Sequence, residues 1–188
     1  IAATTLAIVA GLIVSTSLYL RAEREKETAQ QVATFLSSML EGVGAQVAQG
    51  RDTALLRDIL GKTAERIDTE LAGDPEIEAH LRHTLGLAYH EIGGFDEAET
   101  QWNRALELYR GLRGEDDIDV AVQYSNLGSL AESRSDYAGA EQYLKKAVDI
   151  PERVAPRSDP RIPEFQARLA NEMVNQARYD EARVLLEV

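Results

Sequence analysis

No cysteine occurs in the 188 residues. The chain therefore has no disulfide framework, no thiolate metal ligand and no thiol nucleophile, while its compartment stays open. Basic residues are also scarce, 20 against 32 acidic, for a formal net charge of -12. Nucleic-acid backbones need a basic patch, so no nucleic-acid partner is expected. The acidity itself is a device for solubility first. The motifs of phosphoryl transfer are missing as well: there is no Gly-rich phosphate loop, no H-R-D and no D-F-G. "GLRGEDD" is the most charged turn but lacks the alternating ligand spacing of a calcium loop. Ser/His and carboxylate pairs are scattered without the pattern of a hydrolase. Neither a catalytic residue nor a cofactor is expected in these residues.

Alternating strand patterns are absent too, and what remains is helical. The first twenty residues, "IAATTLAIVAGLIVSTSLYL", carry no charge. At about 1.5 Å per residue a helix of that length spans about 30 Å, the hydrocarbon thickness of a bilayer. Residues 1–20 are expected to form a transmembrane helix and to be the membrane contact. A secretory signal would begin with basic residues and end on small ones, unlike this run. The chain starts without Met and stops inside an apolar pattern, so a fragment of something longer is expected. "RAEREKE" holds three basic and three acidic residues, which leaves all the net charge after Glu27.

Residues 21–50 read as a juxtamembrane amphipathic helix and a Gly-rich linker. Val32, Phe35, Leu36, Met39 and Leu40 form one apolar stripe, which could pack on the rest of the chain or on its own copy in a homodimer. "GVGAQVAQG" then breaks the helix. Residues 51–73 read as a capping helix with Asp52 as its N-cap. Asp74 with Pro75 at the first helical position starts the next.

From there one phrase returns. "GGFDEAETQW" is followed by "DYAGAEQYL" and "RYDEARVLL", with Phe95, Tyr137 and Tyr179 each 42 residues apart. Leu85, Gly86 and Tyr89 precede Ala98, Trp102 and Ala105. Tyr124, Leu127, Gly128 and Ala131 precede Ala140, Leu144 and Ala147, and Leu169, Ala170 and Met173 precede Ala182 and Leu186. Small residues at Gly86, Gly128 and Ala170 would let two helices approach closely, with Ala98, Ala140 and Ala182 doing the same from the partner helix. Tyr89, Trp102 and Leu144 are expected to fill the space between pairs. "FDEAE" would open each second helix, its carboxylates near the positive end of the dipole.

The pattern resembles the tetratricopeptide repeat. The resemblance covers Glu76–Val188, in copies of about 76–112, 118–154 and 160–188 within 74–188. The period is 42 rather than about 34, and the connector "LRGEDDIDVAVQYSNLGSL" is similar to the long repeat subtype of kinesin light chains. The fold class implied is all-α: an N-terminal membrane helix, then an α-solenoid of helix pairs. In this family the inner helices line a concave groove that takes up a protein or peptide. By motif match the groove stripe would be His80, His83, Leu87, His90 and Glu91, then Val122, Ser125, Ser129 and Glu132, then Glu164, Ala167, Asn171 and Asn175. The three histidines would make a groove ligand pH-sensitive. Their spacing on one helix separates His83 and His90 by about 10 Å, too far to share one ion, and no metal site is expected.

The order of a membrane run, "RAEREKETAQQVATFLSSML" and "LLRDILGKTAERIDTELAGDPEIEAHLRHTLGLAYHEIGGFDEAE" is similar to the region after the catalytic domain of bacterial receptor-like serine/threonine protein kinases. That resemblance implies a kinase upstream of Ile1 and a sensor or scaffold role here. The alternative is a non-enzymatic adaptor on a membrane anchor. The flanking charges give no positive-inside signal. The kinase resemblance implies repeats outside the cytoplasm, in the periplasm.

Overall fold

The computed structural model describes residues 53–71, 73–154, 159 and 161–186. The chain divides into two units, Ile1–Arg51 and Asp52–Val188, and all described residues belong to the second. The expectations for residues 1–20 and 21–50 lie outside the described residues, as does the Asp52 cap. Among the described residues, no helix is long and apolar enough to cross a membrane.

The described residues form seven helices: α1 Thr53–Glu70, α2 Pro75–Glu91, α3 Phe95–Arg113, α4 Ile118–Ser133, α5 Tyr137–Val154, α6 Arg161–Asn175 and α7 Tyr179–Leu186. The class is all-α and the arrangement a solenoid, each helix packing on its neighbours in the chain, most extensively within the pairs α2/α3 and α4/α5. The Asp74 side chain caps α2 by accepting from the Ile77 amide at 3.3 Å, with Pro75 opening the helix.

The small residues decide how closely a pair packs. A β-carbon at Gly86 would collide with the Trp102 indole, and one at Gly128 would lie 2.8 Å from Leu144 Cγ. Ala98 and Ala140, on the partner helices, are fully buried. Trp102 and Leu144 thus fill the space opposite the glycine of their own pair. The expectation that they fill the gap between pairs is corrected: a large side chain facing a missing Cβ is what lets two helices of one hairpin close.

The turns inside the pairs repeat at the backbone level. Gly93, Ser135 and Ala177 all have φ in the left-handed region, at 75°, 60° and 60°. In each turn the next amide bonds back to the helix, Gly94 to Tyr89, Asp136 to Ala131 and Arg178 to Met173, all at 2.8 Å. Such closure satisfies carbonyls that a helix end leaves orphaned.

A charge network fastens α1. Arg82 is buried on α2, donates to Gln101 Oε1 of α3 at 2.8 Å and pairs with Asp68 of α1. Glu78, also buried, accepts from Arg104 of α3 at 2.9 Å. The pairing removes the large cost of leaving a buried charge alone.

Candidate functional site

The first helices of the pairs, α2, α4 and α6, meet one another through polar side chains. At the joint between α2 and α4, His83 is half-buried, with Nδ1 3.2 Å from Gln123 Nε2 and 3.2 Å from Asn126 Nδ2. Trp102 Nε1 donates to the His83 carbonyl at 3.2 Å, so the residue that fills the Gly86 gap also holds the backbone of the joint. Burial lowers the His83 pKa, partly offset by the Gln123 contact. A neutral ring suits the site, since its bare Nδ1 can accept from the two amides. Two helical turns further on, His90 Nε2 lies 3.1 Å from Ser133 Oγ of α4, and its ring packs 5.6 Å from both Phe95 and Trp102.

The joint between α4 and α6 is charged. Arg168 donates to Ser129 Oγ at 2.7 Å and to Glu164 Oε1 at 3.0 Å. Glu132 is half-buried on α4 beside the fully buried Glu172 of α6. Burial raises the Glu132 pKa first and the neighbouring Glu172 carboxyl raises it further, against the pull of Arg168.

The thirteen residues proposed for the groove fall into two groups. His80, Leu87, Glu91, Glu164, Ala167, Asn171 and Asn175 are exposed, Glu164 with one oxygen already taken by Arg168. His83, His90, Ser129 and Glu132 are half-buried and already engaged across the joints, Val122 is half-buried, and Ser125 is buried with its hydroxyl unpartnered. The three histidines do not share one role: His80 faces solvent, and the other two face α4 at different points. Sequence reasoning missed Gln123, Asn126, Ser133, Arg168 and Glu172. A polar residue one or two positions from the open stripe, where a packing position would be apolar, is the signal that could have found Gln123 and Glu172.

The tetratricopeptide repeat family model matches residues 76–153. A TPR repeat-containing protein of Dictyostelium discoideum is 28% identical over 120 residues, 64% of this chain, and the match spans 6% of that relative's length. Among solved structures, BtubC (BKLC) from P. vanneervenii is similar at TM-score 0.60 and 19% identity, covering 88% of this chain and 72% of that one. A Podosopora anserina protein described as a kinesin light chain with nearly identical TPR-like repeats is similar at TM-score 0.63 and 18% identity, over 81% of this chain and 72% of that one. At such identities these structures bear on the fold. The chain carries a tetratricopeptide repeat region with kinesin-light-chain-like structural neighbours, a fold that generally serves as a non-catalytic scaffold for protein or peptide partners.

Proposed function

We propose that this chain is a protein-binding module whose partner, a protein or an extended peptide, lies along the face shared by α2, α4 and α6. The observation that carries this reading is the exposed stripe of His80, Asn171 and Asn175 with the apolar Leu87, beside joints whose own hydrogen bonds are already made. Open groups next to a fixed frame can bind without first paying to order it. The test is a pull-down with Leu87→Glu, Asn171→Ala and Asn175→Ala combined. The triple variant is expected to keep its fold and lose the partners of the wild type. Retention of every partner at full strength would count against the groove.

Two further elements of the reading concern context. Residues 1–20 anchor the module in a membrane, on the strength of their charge-free length. The module is the sensor or scaffold part of a receptor-like serine/threonine kinase, on the strength of the resemblance in order and sequence described above. A catalytic domain on the ATP side of a single crossing puts the repeats in the periplasm. Alkaline phosphatase fused after Val188 in the full-length protein is expected to be active. Inactive phosphatase with a fluorescent cytoplasmic marker in its place would leave a cytoplasmic scaffold on an anchor.

A further inference from the structure

The two kinds of helix finish differently. The second helices of the pairs place cations where the helix dipole is negative: Arg110 and Arg113 in the last turn of α3, Arg153 in that of α5 and Arg183 in that of α7. The last turns of α4 and α6 hold no basic residue, and α2 ends on Glu91. Glu132, one residue before the end of α4, puts a second carboxyl at a negative end. The one basic residue in the last turn of α2, His90, is spent on Ser133 of α4. That contact draws the two helix ends together, with Glu91 next in the chain to one partner and Glu132 to the other. Neither carboxyl has an ion-pair partner among the described residues, and each opposes the dipole of its own helix.

The cations of the first helices are committed elsewhere. Arg168 of α6 is held by Ser129 and Glu164, Arg161 by Asp159 at 2.9 Å, and the buried Arg82 by Gln101 and Asp68. α4 has no Lys or Arg. Among the described residues, the one Lys or Arg without a carboxylate partner is Lys146, and it lies on α5, its Nζ 5.0 Å from the centre of the Tyr124 ring. An anionic ligand would therefore find no free ammonium or guanidinium along α2, α4 and α6. A cationic one would find two carboxyls and two helix ends. Leu87 stands four residues before Glu91 on α2 and both are exposed, which makes them neighbours on one face.

We propose that the partner in the groove is a cationic extended peptide, which seats a Lys or Arg at the joined ends of α2 and α4, beside Glu91 and Glu132, and an apolar side chain on Leu87. The proposal rests on the groove reading and names the chemistry of its ligand. The peptide's cation supplies at these two ends what α3, α5 and α7 supply for themselves. An exposed charge pair is individually weak, so the cation sets preference more than affinity.

The test is selection of peptides from a random display library against the full chain in mild detergent at neutral pH. Fluorescence anisotropy then compares their binding to wild type, Glu91→Gln, Glu91→Lys and a charge-preserving triple variant, Leu87→Ser, Asn171→Ala and Asn175→Ala. The Glu91 side chain is exposed and unpaired, so its variants are expected to keep the wild-type thermal midpoint. Peptides that the triple variant loses should be enriched in Lys and Arg and should weaken with added salt. They should bind Glu91→Gln about threefold and Glu91→Lys about tenfold more weakly than wild type. Triple-sensitive peptides that are neutral or acidic, or that bind Glu91→Lys as tightly as wild type, would overturn the cationic partner and leave the groove standing. Selected peptides that all ignore the triple variant would overturn both.

Discussion

The two joints between inner helices sit in equivalent places and use opposite chemistry. The α2–α4 joint is neutral, an imidazole between two amides, while the α4–α6 joint is charged, with Arg168 bridging Ser129 and Glu164. Acid should weaken the first. His83 has a lowered pKa from burial, so the stability it contributes is present above the ordinary histidine value and is lost as pH falls through that value toward the lowered one. The lesson is that a repeat can copy its backbone while letting each contact between copies acquire its own sensitivity.

The largest effect that would break this comparison is Gly86→Leu. The Cβ alone meets the Trp102 indole, and that indole holds the His83 carbonyl, so the first pair and the first joint fail together. A loss at or above about 3 kcal/mol is expected, the upper end of overpacking, and an unchanged thermal midpoint would refute the packing role. Gly128→Ala in the second pair should cost only about 1 kcal/mol. Its Cβ meets the aliphatic Leu144 side chain rather than a rigid ring, and alanine regains about 1 kcal/mol of helix propensity. Calorimetry on the two variants side by side checks the difference.

A smaller and more specific change sharpens the comparison of joints. His83→Gln should flatten the acid limb of the midpoint-against-pH curve and leave the alkaline limb as it was. A parallel shift of the whole curve would mean that His83 does not carry the acid response. The smallest effect is expected at the third turn. Ala177 sits at φ 60° where the first turn has Gly93. Ala177→Gly should gain a few tenths of a kcal/mol, because relief of the left-handed strain slightly exceeds the entropy glycine loses on folding. Denaturant melts would register it, and a loss would show that the turn is not strained.

The pairs were legible because their logic is steric and local. A small residue facing a large one leaves the same trace at Gly86 and Trp102 as at Gly128 and Leu144, and a 42-residue period makes the trace hard to miss. The turns were legible once only: glycine announces a left-handed residue at Gly93, while Ser135 and Ala177 adopt the same conformation without any such sign. The joints were hidden because they depend on which side chains of two helices arrive at the same place. His83 read as an open groove residue until Gln123 and Asn126 were seen to reach it, and Glu172, buried beside the exposed Asn171, is marked only by its polar character at a packing position. The stripe therefore mixed open positions such as Leu87 with engaged ones such as Ser129.

The central claim, that partners lie along α2, α4 and α6, is tested most directly by hydrogen exchange on the full chain. The probe would be an extended peptide selected against the chain from a random display library. The account predicts new protection on α2, α4 and α6 that disappears with Leu87→Glu, Asn171→Ala and Asn175→Ala combined. Protection confined to α3 and α5, or unchanged by those substitutions, would contradict it.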